Sequence, residues 1–412
     1  MTPQAFSYPI VANNGMIYIP PFGLTESIDY MLKYNPVEDK FTKLPLNVTD
    51  CKEKWIWGCA YRNKIYVLPY NENKIIVLDT EDDSIEYVMV QQEGKGKYIQ
   101  GHIHGDRIVA LPYGEHEPYD YLLNFYFRNN LATYEKIKVP KNDTKKWHTT
   151  QILDGVIYGL PRGENWEDTF NYRIQYDCNS GEYEIVDMSP LWLDYNQQPM
   201  NNKKFTTLAK SKGNLYAPPY SENPNFDVLS KFKNGHWYSE RTGIQGTSRK
   251  YFTHTVASNG KIFFPPAGHE ETWSEMLVID PSKDDGSSEY WHTINLGIGK
   301  ESKKFFAGIE NSEGNIYFMP RGGCVCEPES TWKSQGDLTE ILKVNVHTEE
   351  FNTINISEYF KDFTSIEKYN KCVIIDDVIY AFPYGQSEDF HLMLIFDTLT
   401  EKVIDVRDLR YV

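Results

Sequence analysis

The stretch IYIPPFG at Ile17–Gly23 returns seven more times along the chain. It reads IYVLPYN at Ile65–Asn71, IVALPYG at Ile108–Gly114, IYGLPRG at Ile157–Gly163 and LYAPPYS at Leu215–Ser221. The last three copies are IFFPPAG at Ile262–Gly268, IYFMPRG at Ile316–Gly322 and IYAFPYG at Ile379–Gly385. The second position falls at Tyr18, Tyr66, Val109, Tyr158, Tyr216, Phe263, Tyr317 and Tyr380, and in every copy a proline follows three residues later. A chain of 412 residues would ordinarily divide into two or three domains. Eight copies with one fixed offset point instead to a single repeat array.

Two further signals run in register with the phrase. Eleven residues before its second position stand Trp55, Tyr98, Trp147, Phe205, Phe252, Phe306 and Tyr369, and Phe6 and Tyr8 flank the same place in the first copy. Turn residues such as Asn14-Gly15, Asp154-Gly155 and Asn259-Gly260 lie between the two signals, and they favour tight hairpins because Asn, Asp and Gly tolerate positive φ. After the phrase, an apolar strand ends in Asn35, Asp79, Asp177, Asp280, Asn345 or Asp397, residues that open turns by bonding their own backbone. Copies three and five lack that acid or amide; copy five uses Lys233-Asn234-Gly235.

Each unit is therefore four short antiparallel strands. It resembles the kelch repeat, with Pro-x-Gly in place of the usual Gly-Gly at the end of the second strand, and the resemblance covers nearly the whole chain. It implies an all-β fold, a single eight-bladed β-propeller over residues 1–412. The blades fall at about 1–50, 51–93, 94–142, 143–200, 201–246, 247–299, 300–362 and 363–412. A sheet apolar on both faces cannot bury both alone, so the blades stack and the ring closes. The chain begins at a first strand and ends after a fourth, so closure needs no shared strand, with Leu409–Val412 free to reach the first blade. Helix is expected only in short excursions at Ser189–Lys203 and Ser357–Glu367.

Composition fits this reading and limits partners. Aromatic residues make up 15% of the chain, suited to filling space between packed sheets. The net charge of −16 argues against nucleic acid and anionic membranes as partners. No apolar run reaches the length of a membrane span, nothing near Met1 reads as a signal peptide, and the expectation is a cytoplasmic protein. Asn47, Asn142 and Asn355 head glycosylation-type triplets, which leaves room for an exported protein. The six cysteines show no disulfide framework. Cys324-x-Cys326 beside Arg321 is the oddest short motif; it reads as loop packing or as a reactive thiol, and too few ligands accompany it for zinc. No metal or cofactor motif is present.

Candidate function sits on the Pro-x-Gly loops, which all emerge on one face around the axis. The residue after each proline is Phe22, Tyr70, Tyr113, Arg162, Tyr220, Ala267, Arg321 or Tyr384, a collar of aromatics broken by two arginines and one alanine. Rule-breaking positions in a repeat are where function is expected. Arg162 and Arg321, with Tyr113, Tyr384 and Trp166, are the ligand-binding candidates for a small anionic or sugar-like molecule, or a protein segment. Against this, the tyrosines serve equally well as packing, and the arginines as partners of Glu164, Asp168, Glu327 or Glu329. The alternative function is an enzyme, a lyase, epimerase or hydrolase on the same face, with His116 or His269 moving a proton. His102, His148 and His254 lie on first strands at unequal offsets and form no metal triad.

Overall fold

In a computed structural model of the chain, eight four-stranded antiparallel sheets follow one another, each a simple meander. The structure describes all residues except 1–5, 24–27, 49–50, 141–142, 163–169, 193–204, 221–225, 245–249, 268–273, 287, 298–304, 322–338, 361–367 and 384–389. Blade 2 is representative: Trp55–Tyr61, Lys64–Pro69, Lys74–Asp79 and Ile85–Met89. The strands of the other blades lie within 10–45, 102–136, 149–187, 209–241, 255–295, 305–355 and 369–408. All strands of the first and last sheets are consecutive in the chain, so no strand is shared at closure. The terminal residues add no strand: Leu409–Tyr411 form a 3₁₀ turn whose Leu409 is buried with Phe6, Ile17, Tyr34, Tyr380 and Met393. Of the expected helical excursions, Ser189–Leu191 and Ser357–Tyr359 are single 3₁₀ turns, and 193–203 and 361–367 lie outside the described residues.

The core is divided among the junctions, with an apolar cluster filling the gap between each pair of neighbouring blades. Second strands sit inside these gaps, which is why their apolar runs do not alternate: Asn315–Pro320 is buried at every position. The turns after the third strands are as the sequence requires. Asn35, Asp79, Asp177, Asp280, Asn345 and Asp397 each accept a bond from the backbone N–H two residues on.

One column of the repeat is shifted from its expected place. Tyr70, Tyr113, Arg162 and Ala267 donate their backbone N–H to the carbonyls of Lys54, Lys97, Lys146 and Lys250. Lys250 is therefore the counterpart of Lys146, and Tyr251, not Phe252, that of Trp147. In the same way Phe305, not Phe306, pairs with Pro320 as Trp55 pairs with Pro69. The cause is hairpin length. In blades 1, 6 and 7 the first hairpin carries an extra residue around Gly15, Gly260 or Gly314, all at positive φ. The second-strand residue then faces a partner eight positions earlier, as Ile309 opposite Tyr317, and not seven, as Cys59 opposite Tyr66. Phe252 and Phe306 are thereby turned toward the axis.

With the register corrected, a lysine precedes the buried aromatic in seven copies: Lys54, Lys97, Lys146, Lys204, Lys250, Lys304 and Lys368. The five within the described residues are 0% exposed. Lys54 bonds the nearby Cys51 carbonyl, and three of the others tie their blade to the preceding one. Lys97 donates to the Glu72 carbonyl, Lys250 to the Phe226 carbonyl, and Lys146 to the Tyr119 carbonyl and the Asp120 carboxylate. Buried ammonium groups persist only with such partners.

On the opposite end of the ring a second device recurs. At three junctions a second-strand tyrosine, its cross-strand lysine and an acid from the next blade's last turn meet. Lys33 lies 2.7 Å from Asp83, which also accepts from the Tyr18 hydroxyl. Lys231 lies 3.0 Å from Asp284, which accepts from Tyr216, and Lys343 lies 2.5 Å from Glu401, with its amine over the Tyr317 ring. At two more junctions the equivalent acid takes another cation: Asp39 takes Arg407, and Glu349 takes Lys261 and His292.

Candidate functional site

First strands begin where second strands end in Pro-x-Gly, as the pairing of Phe6 with Pro21 and Tyr369 with Pro383 shows. At that end all eight first strands converge on one cavity of about 310 Å³ along the axis. Its wall is divided. Blades 1–3 present Tyr8, Trp57, Ile99 and Gln100, mostly flat and apolar. Blades 4–6 present His148 to Gln151, Thr206, Thr207, Thr253 and His254, a run of hydroxyl, amide and imidazole groups, beside Phe252 and Phe306. Blade 8 contributes Lys371, and no carboxylate lines the cavity among the described residues.

The polar half is held by bonds between neighbouring inner strands. His148 Nδ1 lies 3.1 Å from the Thr206 carbonyl, Thr206 donates to the Phe252 carbonyl, and His254 Nδ1 bonds Thr207 Oγ1. His102 Nε2 lies 2.7 Å from Thr150 Oγ1 below the cavity. Burial pushes the imidazole pKa of His102 and His254 down to about 4, with Lys371 adding to the effect at His254. Both are therefore neutral at pH 7 and act as hydrogen-bonding groups, not cations.

Lys371 carries the formal charge among the described residues that line this cavity. Its amine sits 3.8 Å above the centre of the Tyr8 ring, a cation–π contact, and no acid pairs with it among the described residues. Burial pulls its pKa down to about 8, so most molecules are still charged at pH 7.

Above the cavity the Pro-x-Gly collar is packed. Phe22, Tyr70, Tyr113 and Tyr220 are all buried, and the first three form an apolar cluster with Ile56. Arg162 donates from Nη1 to the Tyr113 hydroxyl at 2.6 Å. The Arg321 guanidinium lies 5.1 Å from the Phe252 ring and 4.8 Å from the Phe306 ring. The Arg321 guanidinium thus lies against inner aromatic rings while Arg162 is tied to the collar's Tyr113, and edge contacts from Tyr113 through His148 to Phe252 link the two positions around the rim.

His116 lies apart from this arrangement. It is exposed, 2.8 Å from Glu53 and edge-on to Tyr70, and it does not line the cavity. Trp166, His269, Tyr384, Cys324 and Cys326 lie outside the described residues, as do Glu164, Asp168, Glu327 and Glu329. The structure therefore brings Tyr113 and Arg162 together, sets Arg321 over the cavity's own aromatics, and leaves His116 on the outer rim. The residues that sequence reasoning missed are Lys371 and the inner threonines. Three places beyond the buried lysine, successive copies carry Trp57, Gln100, Thr149, Thr207, Thr253, Ala307 and Lys371, a column in which one cation stands out. Among the described residues no cluster of three or more metal-type ligands exists, and no helix is long and apolar enough to cross a membrane.

No protein-family model matches this chain, and no curated protein does. Among solved structures, apo AztD from Citrobacter koseri is similar over 99% of this chain and 95% of its own, at 10% identity and a TM-score of 0.54. YCF48 bound to D1 peptide covers 91% of this chain and 96% of its own, at 10% identity and a TM-score of 0.49. Kluyveromyces lactis Hsv2 covers 86% and 98%, at 11% identity and a TM-score of 0.47. At such identities the likeness shows the fold alone. Eight blades of four antiparallel strands make this chain an all-β, eight-bladed propeller, a scaffold compatible with ligand or protein binding.

Proposed function

We propose that this kelch-like propeller is a ligand-recognition protein whose axial cavity takes a small anionic, hydroxyl-rich molecule of the sugar-acid kind. The observation that carries this reading is Lys371: a half-buried ammonium with no acid beside it among the described residues, in a cavity that those residues line without a carboxylate, in a protein whose net charge is −16. An anion entering there finds its counter-charge already in place and, among the described residues, displaces no acid. The threonines, His148, His254 and Gln151 suit hydroxyl groups, and Trp57 and Tyr8 suit the flat face of a ring. Arg321, and Arg162 with Tyr113, form a positive rim above it and draw the ligand inward.

The test is a thermal-shift comparison of galacturonate, gluconate, glucose and N-acetylglucosamine. A ligand of the native state at one hundred times its Kd stabilises by about 2.7 kcal/mol. The acids are expected to raise Tm and the neutral sugars to do much less. Replacing Arg162 and Arg321 together by methionine is expected to weaken the acids. Equal shifts with glucose and galacturonate would overturn the anionic assignment.

A further inference from the structure

The junction between blades 2 and 3 breaks the tyrosine–lysine–acid rule. Tyr66 keeps its place, but Val77 stands where the lysine should be and Asn130 where the acid should be. Asn130, four residues after Tyr126 as Asp83 is after Asp79, is turned instead to Glu86 at 2.7 Å. The cations at this junction lie elsewhere: Arg62 and Lys64 flank blade 2's hairpin turn, and Arg128 lies in blade 3's last turn. None of the three forms an ion pair among the described residues. Together with Asn63 and Asp106 they surround a concavity of about 520 Å³ walled by Tyr61, Tyr66 and Phe127. Phe127 stacks on Tyr61 with centroids 4.1 Å apart and planes 13° apart, and the Arg62 guanidinium sits 5.3 Å from the Tyr61 ring. This is the end of the ring opposite the Pro-x-Gly collar.

We propose that this groove is a second ligand site, for a nucleoside di- or triphosphate. Three cations and the single acid Asp106 line the groove, with Asp79 behind it opposite Lys64 and bonded to Asn63, so the lining itself carries a net positive charge on an acidic protein, which concentrates an anion there. Arg62 and Arg128 have the fork geometry that grips phosphate oxygens in pairs, and Lys64 adds a point charge. The half-buried rings of Tyr61 and Phe127 give a base an aromatic edge to pack on. A sugar acid lacks such a flat aromatic face and belongs to the axial cavity.

The test is calorimetric titration of the full chain at low salt with ATP, tripolyphosphate, adenosine and phosphotyrosine. ATP is expected to bind about tenfold more tightly than tripolyphosphate or phosphotyrosine, with adenosine weakest. The double variant Arg62→Glu, Arg128→Glu carries both changes on exposed side chains. It is expected to weaken ATP at least about thirtyfold with an unchanged Tm, because it replaces two attractions by two repulsions. Lys371→Met is expected to leave ATP binding as it was. The assignment is overturned by no ATP binding, by tripolyphosphate or phosphotyrosine matching ATP, by an unchanged double variant, or by loss of ATP binding in Lys371→Met, which would move ATP to the axial cavity.

Discussion

Binding at the axial cavity is expected to weaken in alkali, and the size of the effect follows from Lys371. Its pKa of about 8 in the empty cavity means the ammonium is present below pH 8 and is lost above it. A bound carboxylate favours the charged amine and raises that pKa toward the ordinary value of about 10.4. Binding therefore takes up a proton, and affinity falls wherever the empty protein has lost it and the complex has not. From pH 7 to pH 9.5 the charged fraction of the empty protein falls from about nine-tenths to about 3%, so Kd for galacturonate should rise about thirtyfold, or about 2 kcal/mol. The ligand's own carboxylate stays ionised throughout, and His254, neutral across this range, does not contribute. Calorimetry at the two pH values reads the change directly. At pH 8 the observed heat should also vary with the ionisation enthalpy of the buffer, in proportion to about half a proton taken up. An affinity that stays within twofold between pH 7 and 9.5 would refute the role given to Lys371.

Three stability outcomes follow from the packing. Trp147 is 0% exposed and donates its indole N–H to the Tyr172 carbonyl, so Trp147→Ala should cost about 3–5 kcal/mol in denaturant titration; a loss below about 1 kcal/mol would show that the junction is not tightly packed. Asp284 is the most buried acid of the recurring junction device and takes Tyr216, Lys231 and Lys233; Asp284→Ala strands those cations and should cost about 3–5 kcal/mol. Glu401 fills the same role with its side chain 37% exposed, so Glu401→Gln should cost about 1 kcal/mol or less. Equal costs at the two positions would mean that burial does not set the strength of the device.

The fold was legible because the repeat overdetermines it. The phrase ending in proline, the Asx turns and the Asn-Gly or Asp-Gly hairpins each specify the same meander, and all appear where the sequence places them. The aromatic column slipped by one residue in blades 6 and 7 because spacing counts residues, whereas a hairpin with an added residue changes which of them faces the axis. The lysine before the aromatic in seven copies was visible in the sequence, yet lysine suggests solvent, and its burial is explained by loop carbonyls and, for Lys146, the Asp120 carboxylate. The candidate site was half legible. Arg162 and Arg321 stood out as breaks in the collar; Arg321 lies against inner rings and Arg162 bonds the collar's Tyr113. Lys371 and the threonines did not stand out, since a hydroxyl or amine on a first strand gains meaning only when eight strands converge. His116 attracted notice as a loop histidine among acids, and its partner proves to be Glu53, away from the cavity.

The most direct test of the central claim is one titration of galacturonate into the native protein and into Lys371→Met at pH 7. Methionine keeps the length and the apolar stem of the side chain and removes only the charge. The account expects the native protein to bind and the variant, with Tm equal to or above that of the native protein, to lose at least about tenfold in affinity. Undiminished binding by the variant would contradict it.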